Sequence, residues 1–408
     1  MSTRAEHDPH TGEGAPQGGS VLEVLLAFLK LGLTSFGGPV AHLGYFRTEF
    51  VERRRWLDDA AYSDLVALCQ FLPGPASSQV GIALGLGRAG WAGSLAAWIG
   101  FTLPSAVAMI LFAYGVGRWS GVAASGAVHG LKVVAVAVVA QALWGMSRSL
   151  CPDRPRAGIA VLAALAVLVV PTAAAQVAAI ALGGLLAGWL VRPEAVASTS
   201  HCACGVSRRV GGLLLLAFAA LLVALPTLGF AGGSPLWSAL AVFYQSGALV
   251  FGGGHVVLPL LQAGVVPPGW VDADTFLAGY GAAQAVPGPL FTFAAFLGAA
   301  MPAPLGGWTG GLLALAAIFV PAWLLVVGAL PFWEAIRRDA RARRAMAGAN
   351  AAVVGVLGAA LYDPVWTSAI HSRADFGLAL AAFALLVHAR VSPVLVVVAG
   401  ALAGWAMA

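Results

Sequence analysis

The chain has 408 residues, 60% of them hydrophobic and only 10% charged, with a mean hydropathy of +0.88. A water-facing surface needs far more charge, so lipid is the expected solvent, and unbroken apolar runs favour membrane helices over barrel strands. The net charge of +5 does not read as nucleic-acid binding, because the arginines form no basic face interleaved with aromatics.

Residues 1–20 are polar and rich in Gly, His and acids, which predicts a disordered tail without the pattern of a cleaved signal. Roughly thirteen apolar segments follow, some short for a full crossing. They divide into a first repeat at 21–191, a linker with a topology-inverting span at 192–235, and a second repeat at 236–408. Phe36-Gly37-Gly38, Trp56, Pro73-Gly74-Pro75 and Gly90-Trp91 recur as Phe251-Gly252-Gly253, Trp270, Pro287-Gly288-Pro289 and Gly307-Trp308, at offsets of 214 to 217 residues. The expected fold is an all-α polytopic membrane protein of two homologous halves in inverted topology, with broken or re-entrant helices. In the linker, His201, Cys202 and Cys204 fall short of four ligands at finger spacing and read as a solvated loop, so no metal and no cofactor are expected.

Loop charges carry the inversion. The first repeat has Arg47, Arg53, Arg54 and Arg55 between its Gly-rich and Pro-Gly-Pro segments, where Val265 to Asp274 has no Lys or Arg. Farther on the first repeat offers only Arg118, whereas the second offers Arg337, Arg338, Arg341, Arg343 and Arg344. Basic loops stay cytoplasmic, so equivalent loops belong on opposite sides. Alternation fails if every segment crosses, and works if the Phe-Gly-Gly and Pro-Gly-Pro segments dip in and return.

Prolines remove amide donors and glycine adds freedom, so Pro73-Gly74-Pro75 cannot continue a helix. Pro75 suits the first position of a new helix, whose amides, with Ser77, Ser78 and Gln79, would face the break as an anion seat. Pro287-Gly288-Pro289 with Thr292 repeats the arrangement, and Gly37, Gly38, Gly252 and Gly253 would add close-approach backbone. Tight helix packing is the plainer reading of such glycines. Gln70, Gln284 and Asn350 are expected as neutral donors.

The only two lysines, Lys30 and Lys132, lie inside apolar segments, while the acids keep to segment starts and boundaries. Buried cations without buried carboxylates predict an anionic cargo, with snorkelling to the interface as the bland alternative. His42, His129 and His255 are candidate proton carriers, against the commoner role of a satisfied core histidine.

The residues resemble the chromate ion transporter family in its long two-domain form. The resemblance rests on Phe28 to Val40, Phe71 to Gly81, Phe251 to Leu261, Val266 to Asp272, Ala283 to Leu297 and Gly348 to Val354. It implies two inverted halves and export of chromate, a tetrahedral dianion similar to sulfate, from a bacterial cytoplasmic membrane. No phosphate-cradling GxxxxGK[ST] loop is present, which points to a secondary transporter, with membrane lipid around it, rather than an ATPase. A sulfate carrier is the near alternative, with sulfate as competitor. An intramembrane lipid-phosphate enzyme is the distant one, and it would need a buried acid or base.

Overall fold

The computed structural model describes residues 19–116, 122–191, 205–251 and 254–407; all regular elements among them are helices. The linker residues His201, Cys202 and Cys204, together with Gly252, Gly253 and Arg118, lie outside the described residues, as does the side chain of His255.

Helix α1 (Val21–Thr34) starts on Ser20, whose hydroxyl accepts from the Glu23 amide at 3.0 Å, and stops where Gly37 takes a left-handed φ of 98°. Helix α2 (Gly38–Phe46) leaves that break and continues through π-helical turns to Arg53. Lys30 meets Glu49 at 3.2 Å and Arg54 meets Glu23 at 3.7 Å, so this arm runs antiparallel to α1 and returns to the side it left.

Helix α3 (Asp59–Phe71) and the first arm of α4 (Ala76–Val116) form a second returning hairpin around Pro73-Gly74-Pro75. Trp56 before it and Arg88 at its far end both reach Glu23, at 3.3 and 3.2 Å. Ala89 and Gly90 then turn α4 into its second arm. In this repeat the Phe-Gly-Gly and the Pro-Gly-Pro segments both turn back as hairpins.

Helices α5 (Val122–Leu150), α6 (Arg154–Val169) and α7 (Ala173–Leu190) complete the first half, and α8 (Arg208–Gly232) follows the linker. The second half repeats the order: α9 (Pro235–Ala248), a break, α10 (Val257–Val265), α11 (Ala273–Ala283), a break, α12 (Phe293–Ala300) and α13 (Gly307–Ala329). Asp272 caps α11, and its carboxyl sits below the ordinary range: partial burial raises it, but bonds from the Thr275 hydroxyl and amide outweigh that. Helices α14 (Trp333–Arg338), α15 (Ala340–Ala360), α16 (Arg373–Val387) and α17 (Pro393–Met407) end the chain.

Packing repeats with the sequence. A Cβ on Gly32 would collide with the Gly100 and Phe101 carbonyls, and one on Gly247 with that of Ile318, the matching pair. The second arm of α4 and its counterpart α13 run antiparallel. Trp91 packs at a tilt on Trp323 and Trp98 edge-on to Phe319, both at 5.7 Å between ring centres, while Ile110 lies against Gly311 and Tyr114 against Gly307. The halves also clasp each other: α15 packs on α6 and α7, and α5 packs on α16 and α17.

Six helices among the described residues are long and apolar enough to cross a membrane. Leu165, Leu185, Trp189, Leu213, Leu216 and Leu402 point outward from the bundle, and Trp189 is 89% exposed. Such an apolar outer surface is a lipid face, and the chain is a multi-pass membrane protein.

Candidate functional site

The four helix breaks come together in two exchanged pairs. The Gly74 amide donates to the Val250 carbonyl at 2.6 Å, and the Gly288 amide donates to the Ser35 carbonyl at 2.9 Å. Each Pro-Gly-Pro therefore docks on the Gly-rich break of the opposite half. Gly74 and Gly288 both have left-handed φ, 124° and 98°, which an L side chain resists.

These bonds satisfy backbone groups that lipid would leave unpaired. Side chains close the rest. Gln79 Nε2 donates to the Pro73 carbonyl and Thr292 Oγ1 to that of Pro289, each at 2.9 Å. The structure thus turns the Gly74 and Gly288 amides, Gln79 and Thr292 inward on the breaks themselves. Ser77 Oγ lies 3.3 Å from Nδ1 of the buried His42, whose ring edges Phe101. Ser78 Oγ is buried without a partner.

A cavity of about 450 Å³ opens beside the pairing of Gly288 with Ser35. Gly37, Gly38 and Gly288 line it with backbone, and Gln141, Ser149 and Gln284 with side chains; among the described residues none on its wall is charged. Gln284 Nε2 is buried there, one helical turn from Tyr280. The start of α2 lies on the wall, so its first amides add partial positive charge. A neutral, donor-rich chamber bounded by helix breaks can hold an anion without locking it in place.

The lysines are elsewhere. Lys30 is half exposed on the outer side of α1 and pairs with Glu49, which Arg53 and Arg54 also hold, at 3.5 and 2.9 Å. Lys132 is buried but pairs with Asp274 at 2.8 Å, in a separate cavity of about 600 Å³ at the other end of α5. His129 shares that cavity and meets Asp375 at 2.7 Å.

The expectation of buried cations without buried carboxylates is corrected here. Glu49, Asp64 and Asp375 are each only 5% exposed. Arg337 and Trp333 hold Asp64 at 3.1 and 3.0 Å. None of these acids lines the central chamber. Gln70, the counterpart of Gln284, is exposed, and Asn350 lies apart in an arginine-lined cavity.

Sequence reasoning missed Gln141 and Ser149. Their spacing from Val138 and Ala142 puts them on one face of α5, and that periodicity was the available signal.

Comparison with known proteins agrees with this architecture. The sequence profile described as "Chromate transporter" matches twice, over residues 22–189 and 237–405. The chain is 28% identical over 423 residues to a chromate transport protein of Pseudomonas aeruginosa, covering 97% of this chain and 94% of that one. It is 27% identical over 392 residues to a chromate transport protein of Cupriavidus metallidurans, covering 94% and 92%. An uncharacterized transporter of Bacillus subtilis is 34% identical over 88 residues, 22% of this chain and 49% of that protein. No solved structure gives a significant match. A profile that matches both halves, in a bundle whose two sets of breaks interlock, makes this chain a member of the chromate transporter family.

Proposed function

We propose that the protein is a secondary transporter that exports chromate across a bacterial cytoplasmic membrane through the chamber at the paired breaks. The observation that carries this reading is the uncharged, carboxylate-free lining that the described residues give that chamber, with the buried Gln284 amide donor on its wall. A carboxylate there would repel a dianion and attract metal cations instead.

An inverted arrangement of the halves fits the antiparallel course of α13 and the second arm of α4. It fits the hairpin ends too, basic at Arg47, Arg53 and Arg54 in the first half and acidic at Asp272 and Asp274 in the second. An interior-negative potential favours outward movement of a dianion by about 4.6 kcal/mol per 100 mV, twice the single-charge value. That drive needs no nucleotide.

The test is chromate uptake into everted vesicles under an imposed potential, with sulfate as competitor. Potential-dependent chromate accumulation is expected; none, with the protein inserted, overturns the proposal. Equal inhibition by sulfate would make the cargo tetrahedral oxyanions in general.

A further inference from the structure

Helix α2 lies among all four breaks. It leaves the first at Gly37, and a Cβ on Gly254, at the second Gly-rich break, would stand 3.6 Å from Pro39 Cγ. His42 follows Pro39 by three residues, which puts both on one side of the helix. Its Nδ1 lies 3.3 Å from Oγ of Ser77, two residues past Pro75. The ring also bonds the main chain of Ser35, whose carbonyl accepts from the Gly288 amide at 2.9 Å. One side chain thus touches the first Pro-Gly-Pro segment directly and the second through a shared partner.

The surroundings hold the ring in place. Phe101 stands edge-on to it, with ring centres 5.2 Å apart and planes at 90°. The Phe101 carbonyl in turn lies 3.1 Å from where a Cβ on Gly288 would sit. His42 is 1% exposed and Ser77 2%, so water does not compete for these bonds. A neutral imidazole carries one donor and one acceptor on a rigid ring, enough to serve a hydroxyl and a main-chain group at once. Its contacts among the described residues are that hydroxyl, that main chain and an aromatic ring, and none carries a negative charge to balance an imidazolium.

We propose that His42 is a positioning residue, an uncharged bridge that sets the Ser35 carbonyl against the Gly288 amide instead of carrying protons. It acts through others. Gly37, Gly38, Pro39 and Gly288 form the chamber wall, and His42 stands behind them. Its effect on flux rests on the transport reading, whereas its hold on Gly288 does not.

The test uses the full chain in lipid nanodiscs for amide exchange at Gly288, beside potential-driven chromate flux in everted vesicles between about pH 6 and 8. His42→Leu should raise Gly288 exchange about ten-fold or more and lower flux comparably. His42→Asn puts an amide oxygen near the place of Nδ1 and does not titrate. It should recover most of the protection and the flux, with the wild-type pH profile. Ser77→Ala removes the hydroxyl alone, so it serves if His42→Leu folds poorly; it too should raise Gly288 exchange. Unchanged exchange in Ser77→Ala and in a folded His42→Leu overturns the bridge. A His42→Asn protein whose flux has lost the wild-type pH dependence overturns it as well, in favour of a proton carrier. Exchange that responds to these changes while wild-type vesicles move no chromate would sink the transport reading and leave the bridge standing.

Discussion

The amide of Gly74 meets the carbonyl of Val250 at 2.6 Å, and 214 residues later the amide of Gly288 meets the carbonyl of Ser35 at 2.9 Å. Two bonds related by the sequence repeat thus cross between the halves in opposite senses. They tie each kinked hairpin to its counterpart at the depth where lipid offers no replacement partner.

Alanine at either glycine should loosen that tie. A Cβ on Gly288 would lie 2.8 Å from Ser105 Oγ, and one on Gly74 2.8 Å from Gln79 Nε2. The left-handed backbone alone costs an L residue about 1–2 kcal/mol. Gly74→Ala and Gly288→Ala should each lower the thermal midpoint in detergent and abolish chromate flux. A wild-type midpoint for both would show that the exchanged bonds do not set the geometry.

The chamber wall predicts a charge effect at Gln284. Glutamate there keeps the shape but puts a carboxylate against the incoming dianion. At an effective dielectric of about 20, two like charges a few ångströms apart repel by roughly 4 kcal/mol, and a dianion by more. Gln284→Glu should cut chromate flux by about a thousand-fold with normal insertion. Flux near wild type would place the route elsewhere.

Lys30 should matter little. It is half exposed, and Glu49 keeps Arg53 and Arg54 after its removal. Exposed ion pairs contribute about 0–1 kcal/mol, so Lys30→Ala should keep flux within roughly two-fold. A collapse of flux in that variant, measured in the same vesicles, would return the lysine to the pathway.

Single-cysteine labelling checks the sidedness of the hairpins. Glu52→Cys and Asp272→Cys should react with an impermeant maleimide from opposite faces of the membrane. Reaction of both from one face would exclude an inverted pair of repeats.

Acid should weaken the cap of α11. The Asp272 carboxyl is depressed in the folded chain, so its contribution is complete above the ordinary aspartate value of about 3.9. That contribution fades as pH falls through the lower folded value. Amide exchange at Thr275, corrected for its intrinsic rate, should rise at acid pH. Asp272→Asn caps equally well without titrating and should remove the pH dependence.

Much of this was legible in the chain. Glycine and proline interrupt helices wherever they fall, so the breaks and their duplication were visible, and arginine placement marked the returning hairpins. The partners of the lysines were not. Glu49 sits in the polar run Arg47 to Arg55, which reads as a loop until its π-helical turns bring it beside Lys30. Asp274 lies 142 residues from Lys132, at a segment start whose pairing only the tertiary fold decides. The arginines of α6 and α15 read as topology markers because their convergence on one cavity depends on how those helices cross.

The clasp between the halves limits how the molecule can switch. With α5 gripped by α16 and α17, and α15 by α6 and α7, neither half can swing as a free arm. Under the transport reading, opening toward one face and then the other falls to the short kinked tips tilting inside a woven frame. A side chain at Gly130, whose Cβ would collide with the Gly400 carbonyl oxygen, should pry α5 off α17 and lower the thermal midpoint.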